Sequence, residues 1–454
     1  MLTAHTSRKT KGRPRSWHRQ VTQDQRFGHA TGRLRVLEGL LLHHDELTLF
    51  SDRTTDLAVL GDILDRAAYP QAETLDERYA REEERIDALI KEVAAQSVLP
   101  QVLLLEKDYH NVKWMLKSLL LQARHEVKAQ GAKIGQEAAS TQGGFGEEEI
   151  ASHPARYEIM AALNQAQAYT GKDRSLDTKQ FQTEDILDAL GVQQNEGPYP
   201  DQVASRLLKG YHPADRLWDE LITVLRGGYI ASPCDPMLIE GVLRALRAYL
   251  AFQDLSLIDI VLDRAYYEEL AKWADASQCG SEREIILDFL ALKADATNLQ
   301  SLIRVVRAGL GPVYLSQVLV PGGDVSPERI VAEAYEPVSR LQEALAQQGE
   351  GSKSDLSIVE SLYQHSLAAS LVPYVARSKA VDEIRDFGRD RDNLLMRLAD
   401  KGRLTGCTAE VVFGYWMAKQ MELRNIRIMT ASRSVDISFD ATMRLLRDSY
   451  TSVA

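Results

Sequence analysis

The stretch KQMELRNIRIM, Lys419–Met429, reads as helix, yet it sets Glu422, Arg424, Asn425 and Arg427 among its apolar residues. Asparagine is a poor helix-interior residue because its amide competes for backbone hydrogen bonds, so one placed here needs a partner. The pattern recurs in LEKDYHNVKWML (Leu105–Leu116) and LKADATNLQSLI (Leu292–Ile303). Aligned on asparagine, the copies run Asp108-x-x-Asn111-Val112-Lys113, Asp295-x-x-Asn298-Leu299-Gln300 and Glu422-x-x-Asn425-Ile426-Arg427.

A second echo lies in LDRAAY (Leu64–Tyr69) and LDRAYY (Leu262–Tyr267). The region ahead of the third copy has VPYVARSKA (Val372–Ala380) in its place. The asparagines are unequally spaced, which excludes a regular solenoid of short repeats and predicts one body of three degenerate lobes. Within each copy the acid and the asparagine share one helical face. In a framework reading, the amide bonds to a neighbouring helix, the acid pairs with a cation or sits near a helix end, and the motif fixes register. In a docking reading, the polar triplets line a surface that receives a partner, with Lys113, Gln300 and Arg427 at the interface. Both readings fit the residues.

Working outward, the chain predicts helix after helix from Gln25 on. Leu34, Leu37, Leu40 and Leu41 form one stripe, and Asp76–Gln96 is a charged helix with a narrow apolar seam of Ile86, Leu89, Ile90 and Val93. Pro100 marks the N-terminal edge of the next helix. Further helices are expected near 154–169, 201–226, 236–254, 257–276, 282–307, 325–346, 355–376, 378–400, 408–431 and 438–449. No sustained alternating strand pattern interrupts them, so the predicted fold is all-α. Ser140–Ile150, Val192–Gln202 and Gln347–Asp355 are turn-rich breaks. The expected divisions are a basic arm over 1–24 and lobes over 25–145, 146–346 and 347–454.

The 454 residues carry a net charge of −11 and only 14 prolines. That balance argues against general affinity for nucleic acid or anionic membrane. The three cysteines, Cys234, Cys279 and Cys407, form neither a disulfide framework nor a metal knuckle and suit a reducing compartment. No apolar run approaches the roughly 18–20 residues that span a bilayer. The basic stretch SRKTKGRPRSWHRQ (Ser7–Gln20) lacks the apolar centre of a secretory signal and predicts a disordered arm. Headgroup contact, nucleic-acid contact and a transit peptide are its alternatives.

The residues offer little catalytic chemistry. GLGPVY (Gly309–Tyr314) lacks the third glycine and the Lys-Ser/Thr of a phosphate loop, and no Gly-x-Ser-x-Gly elbow exists. His125-Glu126 begins like a zinc-protease helix, but Ala129 occupies the second histidine position. His43–Glu46 is expected to be a solvated turn at a helix end rather than a metal site. Glu106 and His110 share a face without the facing ligands of a di-iron bundle. No catalytic residue, cofactor or metal is expected.

Six ordered blocks carry a resemblance: Phe27–Leu42, Leu105–Leu120, Leu257–Leu270, Leu292–Arg307, VPGGDVSPERI (Val320–Ile330) and Ala418–Met429. Together they resemble the C-type subunit of V/A-type rotary ATPases, the relative of the d-type subunit of the vacuolar ATPase. The resemblance implies an all-α funnel of three lobes around a pseudo-threefold axis, with no active site. It implies one copy per complex, seated peripherally on the cytoplasmic face of the membrane rotor ring of c/K-type subunits. The funnel would receive the D- and F-type shaft subunits and couple ATP hydrolysis or synthesis to proton or sodium transport. No nucleic acid or small-molecule substrate is implied. Gly131–Gly191 and the basic arm depart from the pattern. A generic helical adaptor and a metal-bound α-bundle are the competing readings.

Overall fold

The computed structural model describes residues 24–120 and 236–450, apart from a few single positions and the short stretches 118–119, 278–279, 348–352 and 378–380. The expected helices at 154–169 and 201–226, and the basic arm, lie outside the described residues. Within them the chain is helical, with no strand. The helices are α1 (Gly28–Glu38), α2 (His44–Leu49), α3 (Leu57–Arg66), α4 (Leu75–Val93), α5 (99–114), α6 (Pro236–Phe252), α7 (Ser256–Ala276), α8 (Ser281–Arg307), α9 (Pro312–Val318), α10 (Pro327–Arg329), α11 (Tyr335–Ala346), α12 (Lys353–Tyr363), α13 (Val381–Ala399), α14 (Lys401–Leu404), α15 (Ala409–Ser434) and α16 (Phe439–Met443).

Local chemistry sets many of the helix starts. Asp56 accepts from the Ala58 N–H and Thr74 from the Glu77 N–H, each satisfying a donor the first turn leaves unpaired. Pro312 and Pro327 open their helices, where a missing N–H costs nothing. His43–Glu46 lies at a helix end, with His43 and Asp45 exposed, and opens α2: the His43 N–H donates to Glu46 at 3.0 Å.

Three expected helices are shorter or broken. The helix expected over 325–346 contains a π turn, Ile330–Ala334, in which the Tyr335 N–H reaches back to Ile330 O. Pro337, one turn further on, has no N–H for Glu333 O and its ring crowds that carbonyl, so the preceding turn widens. The helix expected over 355–376 ends at Tyr363 and resumes as a 3₁₀ segment, Ala369–Ala376, that contains Pro373. At the C-terminal end only Phe439–Met443 is helical. Arg447 gives both its N–H and its carbonyl to Asn425, which leaves them unavailable to a helix.

The described chain divides into two compact units. The first takes the residues up to Leu103 and from Tyr267 onward; the second lies between, from Leu104 to Tyr266. In the second unit Tyr109 meets Tyr266 edge to face at 5.7 Å between ring centres. Gly241 lets α6 approach α7, since a Cβ there would stand 3.0 Å from that of Ala265. Lys113 and Lys117 pair with Asp263 and Asp259.

The first unit is built around α8 and α15. Both are buried on nearly every face, and residues 409–419 of α15 are all inaccessible. Helices buried all round form a core, and the polar residues they carry must find partners inside it. Helices α1, α4, α8, α13 and α14 all pack on α15. The approach of α14 is close enough to demand glycine: a Cβ on Gly402 would stand 2.2 Å from Glu410 O, and one on Gly414 2.8 Å from Ala399 O. Gly402→Ala is therefore expected to force the two backbones apart and cost about 1–3 kcal/mol. Chemical denaturation of the variant measures this; a midpoint equal to that of the unaltered protein would contradict the close approach.

Candidate functional site

The repeated motif lies on the central helices of the first unit and on α5. On α8, Asn298 is buried and reads the backbone of one residue twice: its amide donates to Val320 O and its carbonyl accepts from the Val320 N–H, both at 2.8 Å. On α15, Asn425 does the same to Arg447, donating to its carbonyl at 3.0 Å and accepting from its N–H at 2.9 Å. The clamped residue stands 22 positions after the asparagine in both copies. The framework reading expected a bond to a neighbouring helix. The amides instead hold non-helical segments, because an extended residue offers N–H and C=O side by side, as an Asn side chain requires.

The acids of the two copies do different work. Asp295 accepts from the N–H groups of Asp324 and Val325 at 3.1 and 3.2 Å and from the Ser366 hydroxyl. The loop Val320–Val325 wraps over it closely. A Cβ on Gly323 would stand 2.1 Å from Asp295 Oδ1, and Gly322, at φ +99°, turns the chain with its own α-carbon pressed toward Leu290. Burial pushes the Asp295 carboxyl up to about 7, against the opposing effect of its hydrogen bonds from Ser366 and the loop.

Glu422 joins a buried charge cluster. It accepts from the Leu42 N–H at 2.6 Å, the Tyr69 hydroxyl at 2.6 Å and Lys419 Nζ at 2.7 Å. Lys419 is only 1% exposed and also pairs with the buried Glu82 at 3.0 Å, while Arg85 grips Glu82 through two bonds of 2.7 Å. Burial pushes the Tyr69 phenol well above its ordinary value, and the Glu422 carboxylate adds to the shift.

The remaining candidates fall elsewhere. Asp108 is buried and Asn111 half-buried on α5, and Lys113 is largely covered and paired with Asp263. Gln300 is half-buried on α8. Arg427 is about half exposed and pairs with Glu83 at 2.6 Å. Gln420, Arg424, Arg427, Ile428 and Ala431 line an open groove on one face of α15. Sequence reasoning passed over Glu82, although it stands on the same α4 stripe as Tyr79, Ile86 and Val93, where an acid on an apolar seam signals a buried partner. It also passed over the role of the tyrosine echo: Tyr69 reaches Glu422, and Tyr267 meets Thr297 at 2.7 Å, inside the second motif. Among the described residues no group of His, Cys, Asp and Glu could hold a metal ion.

The clamps and the buried acid can each be tested. Asn298→Leu and Asn425→Leu each strand a backbone N–H and carbonyl and should cost about 1–3 kcal/mol, read as a lowered thermal midpoint; unchanged melting would show the clamps to be dispensable. The second test concerns pH. The folded Asp295 carboxyl sits at about 7 against an ordinary 3.8, so the folded state holds this proton more tightly. Its stabilising contribution is full below about pH 4 and is lost as pH rises through about 7. The stability of the unaltered protein should therefore fall relative to Asp295→Asn across that window, by on the order of a few kcal/mol. Urea unfolding of both at stepped pH measures the gap, and a constant gap would refute it.

Residues 205–445, which contain the second and third motifs, match the family model of the ATP synthase (C/AC39) subunit. The A-type ATP synthase C subunit of Thermococcus kodakarensis is 23% identical over 163 residues, 34% of this chain and 41% of the relative. That of Thermococcus onnurineus is 24% identical over 147 residues, 32% of this chain and 37% of the relative. That of Thermococcus gammatolerans is 29% identical over 121 residues, 25% of this chain and 33% of the relative. The matched part of the chain thus spans well under two thirds of the length of these curated relatives. The family match takes in more than half of the chain, and it places the clamping asparagines of α8 and α15 inside the shared region: the chain belongs to the ATP synthase (C/AC39) subunit family.

Proposed function

We propose that this chain is a non-catalytic central-stalk component of a V/A-type rotary ATPase. In this reading it sits on the membrane rotor ring, receives the end of the central shaft, and passes torque between the nucleotide-driven and ion-driven motors. Its body is a funnel of three lobes, near 25–145, 146–346 and 347–454, present once per complex at the cytoplasmic face. The observation that carries the reading is the family match over residues 205–445. The relatives, each named as the C subunit of an A-type ATP synthase, support it.

The physical chemistry is compatible with a transmitting role. A part that carries torque must resist deformation, and the described core of α8 and α15 is tied by buried hydrogen bonds and ion pairs rather than by packing alone. No helix among the described residues is long and apolar enough to cross a membrane. In this reading the ring supplies the attachment.

The full-length protein should cosediment with vesicles that carry the assembled rotor ring and remain in the supernatant with ring-free vesicles of the same lipid. Equal partition between the two would refute seating on the ring.

A further inference from the structure

Helix α15 changes character at Gln420. Residues 409–419 are inaccessible all round, but from Gln420 one stripe opens. Gln420, Arg424, Arg427, Ile428 and Ala431 line a groove along it, and the stripe continues one turn to Val435, which is 66% exposed. The spacing follows a single helical face and runs roughly 22 Å from Gln420 to Val435.

Of the two arginines of the stripe, Arg424 is poorly neutralised, because it shares its carboxylate. Asp392 is buried and shared by three guanidiniums, those of Arg391, Arg424 and Arg447, at 3.0, 2.6 and 3.1 Å. Burial alone would raise the Asp392 carboxyl, yet Arg391, Arg424 and Arg447 hold it below its ordinary value, so it is a full anion facing three cations. Arg427 has one partner, Glu83. The groove therefore carries surplus positive charge in a chain whose net charge is −11. Both side chains are about half exposed, and three residues apart they sit about 5–6 Å from one another at Cβ.

We propose that this face of α15 is a docking strip for a helical segment of a partner protein that presents two carboxylates about one turn apart, followed by small apolar side chains. A free anion would satisfy the arginines but leave Ile428, Ala431 and Val435 uncovered. A nucleic-acid backbone would call for cations along the whole strip, whereas the cations here occupy its first half. A straight strip, charged first and apolar after, fits an acidic amphipathic helix. The inference rests on the function proposed above, in which the partner is the central shaft.

The test measures binding of the full-length chain to purified shaft subunits and, separately, to ring-bearing vesicles. Four forms are compared: the unaltered protein, Arg424→Glu with Arg427→Glu, Arg424→Lys with Arg427→Lys, and Arg329→Glu as a surface-charge control on the exposed Arg329–Glu333 pair. The expected result is at least a tenfold loss of shaft affinity in the double reversal, retained binding in the lysine pair and in Arg329→Glu, and weakening of the unaltered protein by salt. If the double reversal does not fold, Arg427→Gln takes its place, because its partner Glu83 is partly solvated. Undiminished shaft binding by the folded variant overturns the proposal. So does a loss confined to the vesicles, an equal loss in Arg329→Glu, or self-association of the unaltered chain that the reversal abolishes. Failure of the unaltered protein to bind either shaft or ring would instead refute the function on which the proposal rests.

Discussion

A lysine ammonium removed from water must find opposite charge or lose its proton, and Lys419 meets that requirement at the centre of the first unit. Burial works against its charge, but Glu422 and Glu82 more than compensate and raise its proton affinity above the ordinary value. The face of Tyr69 lies 4.4 Å from the ammonium and adds a cation–π contact. Glu82 belongs to α4 and is held by Arg85; Glu422 is held by the Leu42 N–H and Tyr69. One charged group thereby ties α15 to α4 and to two segments near the N-terminal end of the described chain. Removing one partner of such a group typically costs about 3–5 kcal/mol, because the others are left charged and dry. The rotation of α15 about its axis is set accordingly. With 419 and 422 facing inward, 424 and 427 have to face out.

The asparagine motif is a second device laid over the first. In α8 and α15 it performs one operation, docking a downstream backbone residue against the helix through a pair of hydrogen bonds. The neighbouring acid has diverged. In α8 it holds the glycine loop that follows, and in α15 it belongs to the lysine cluster. A repeated amide with a reassigned acid is what duplication leaves when one contact is geometric and the other electrostatic. Any segment with a free peptide edge satisfies the amide, whereas the carboxylate must suit whatever charges surround it.

Much of this was legible in the residues, and the limits are physical. Helical periodicity identified α4, α7, α8, α13 and α15 to within a few residues, since each is long and its apolar spacing is unambiguous. The π turn at Ile330 follows from Pro337, whose effect depends on which carbonyl it faces, whereas the end of the helix at Tyr363 lies ten residues ahead of Pro373 and is not explained by it. The unwound stretch around Arg447 was not legible, because its cause is Asn425, a residue 22 positions away. The repeated asparagines could be singled out as odd, but only the fold says what they hold. Glu82 carried a readable signal as an acid on an apolar seam. The groove on α15 carried none: an open face is defined by which other faces are covered, and that is a property of the packed unit.

The equal interval between each asparagine and the residue it clamps has a consequence for how the chain tolerates change. In one copy the interval holds the end of α8, α9 and a turn; in the other it holds the end of α15, a loop and α16. The contents differ while the length is kept, so the interval behaves as a ruler whose graduations matter and whose material does not. Exposed side chains along it can be exchanged at little cost to stability, whatever else those of the α15 strip do. Lengthening it by one residue would bring the next peptide to the amide with its N–H and carbonyl turned the other way. Beyond the first ruler Gly322 and Gly323 fit against Leu290 and Asp295 with no room for a Cβ, so that slack could not be absorbed there. Insertions in this region are therefore expected to cost far more than substitutions.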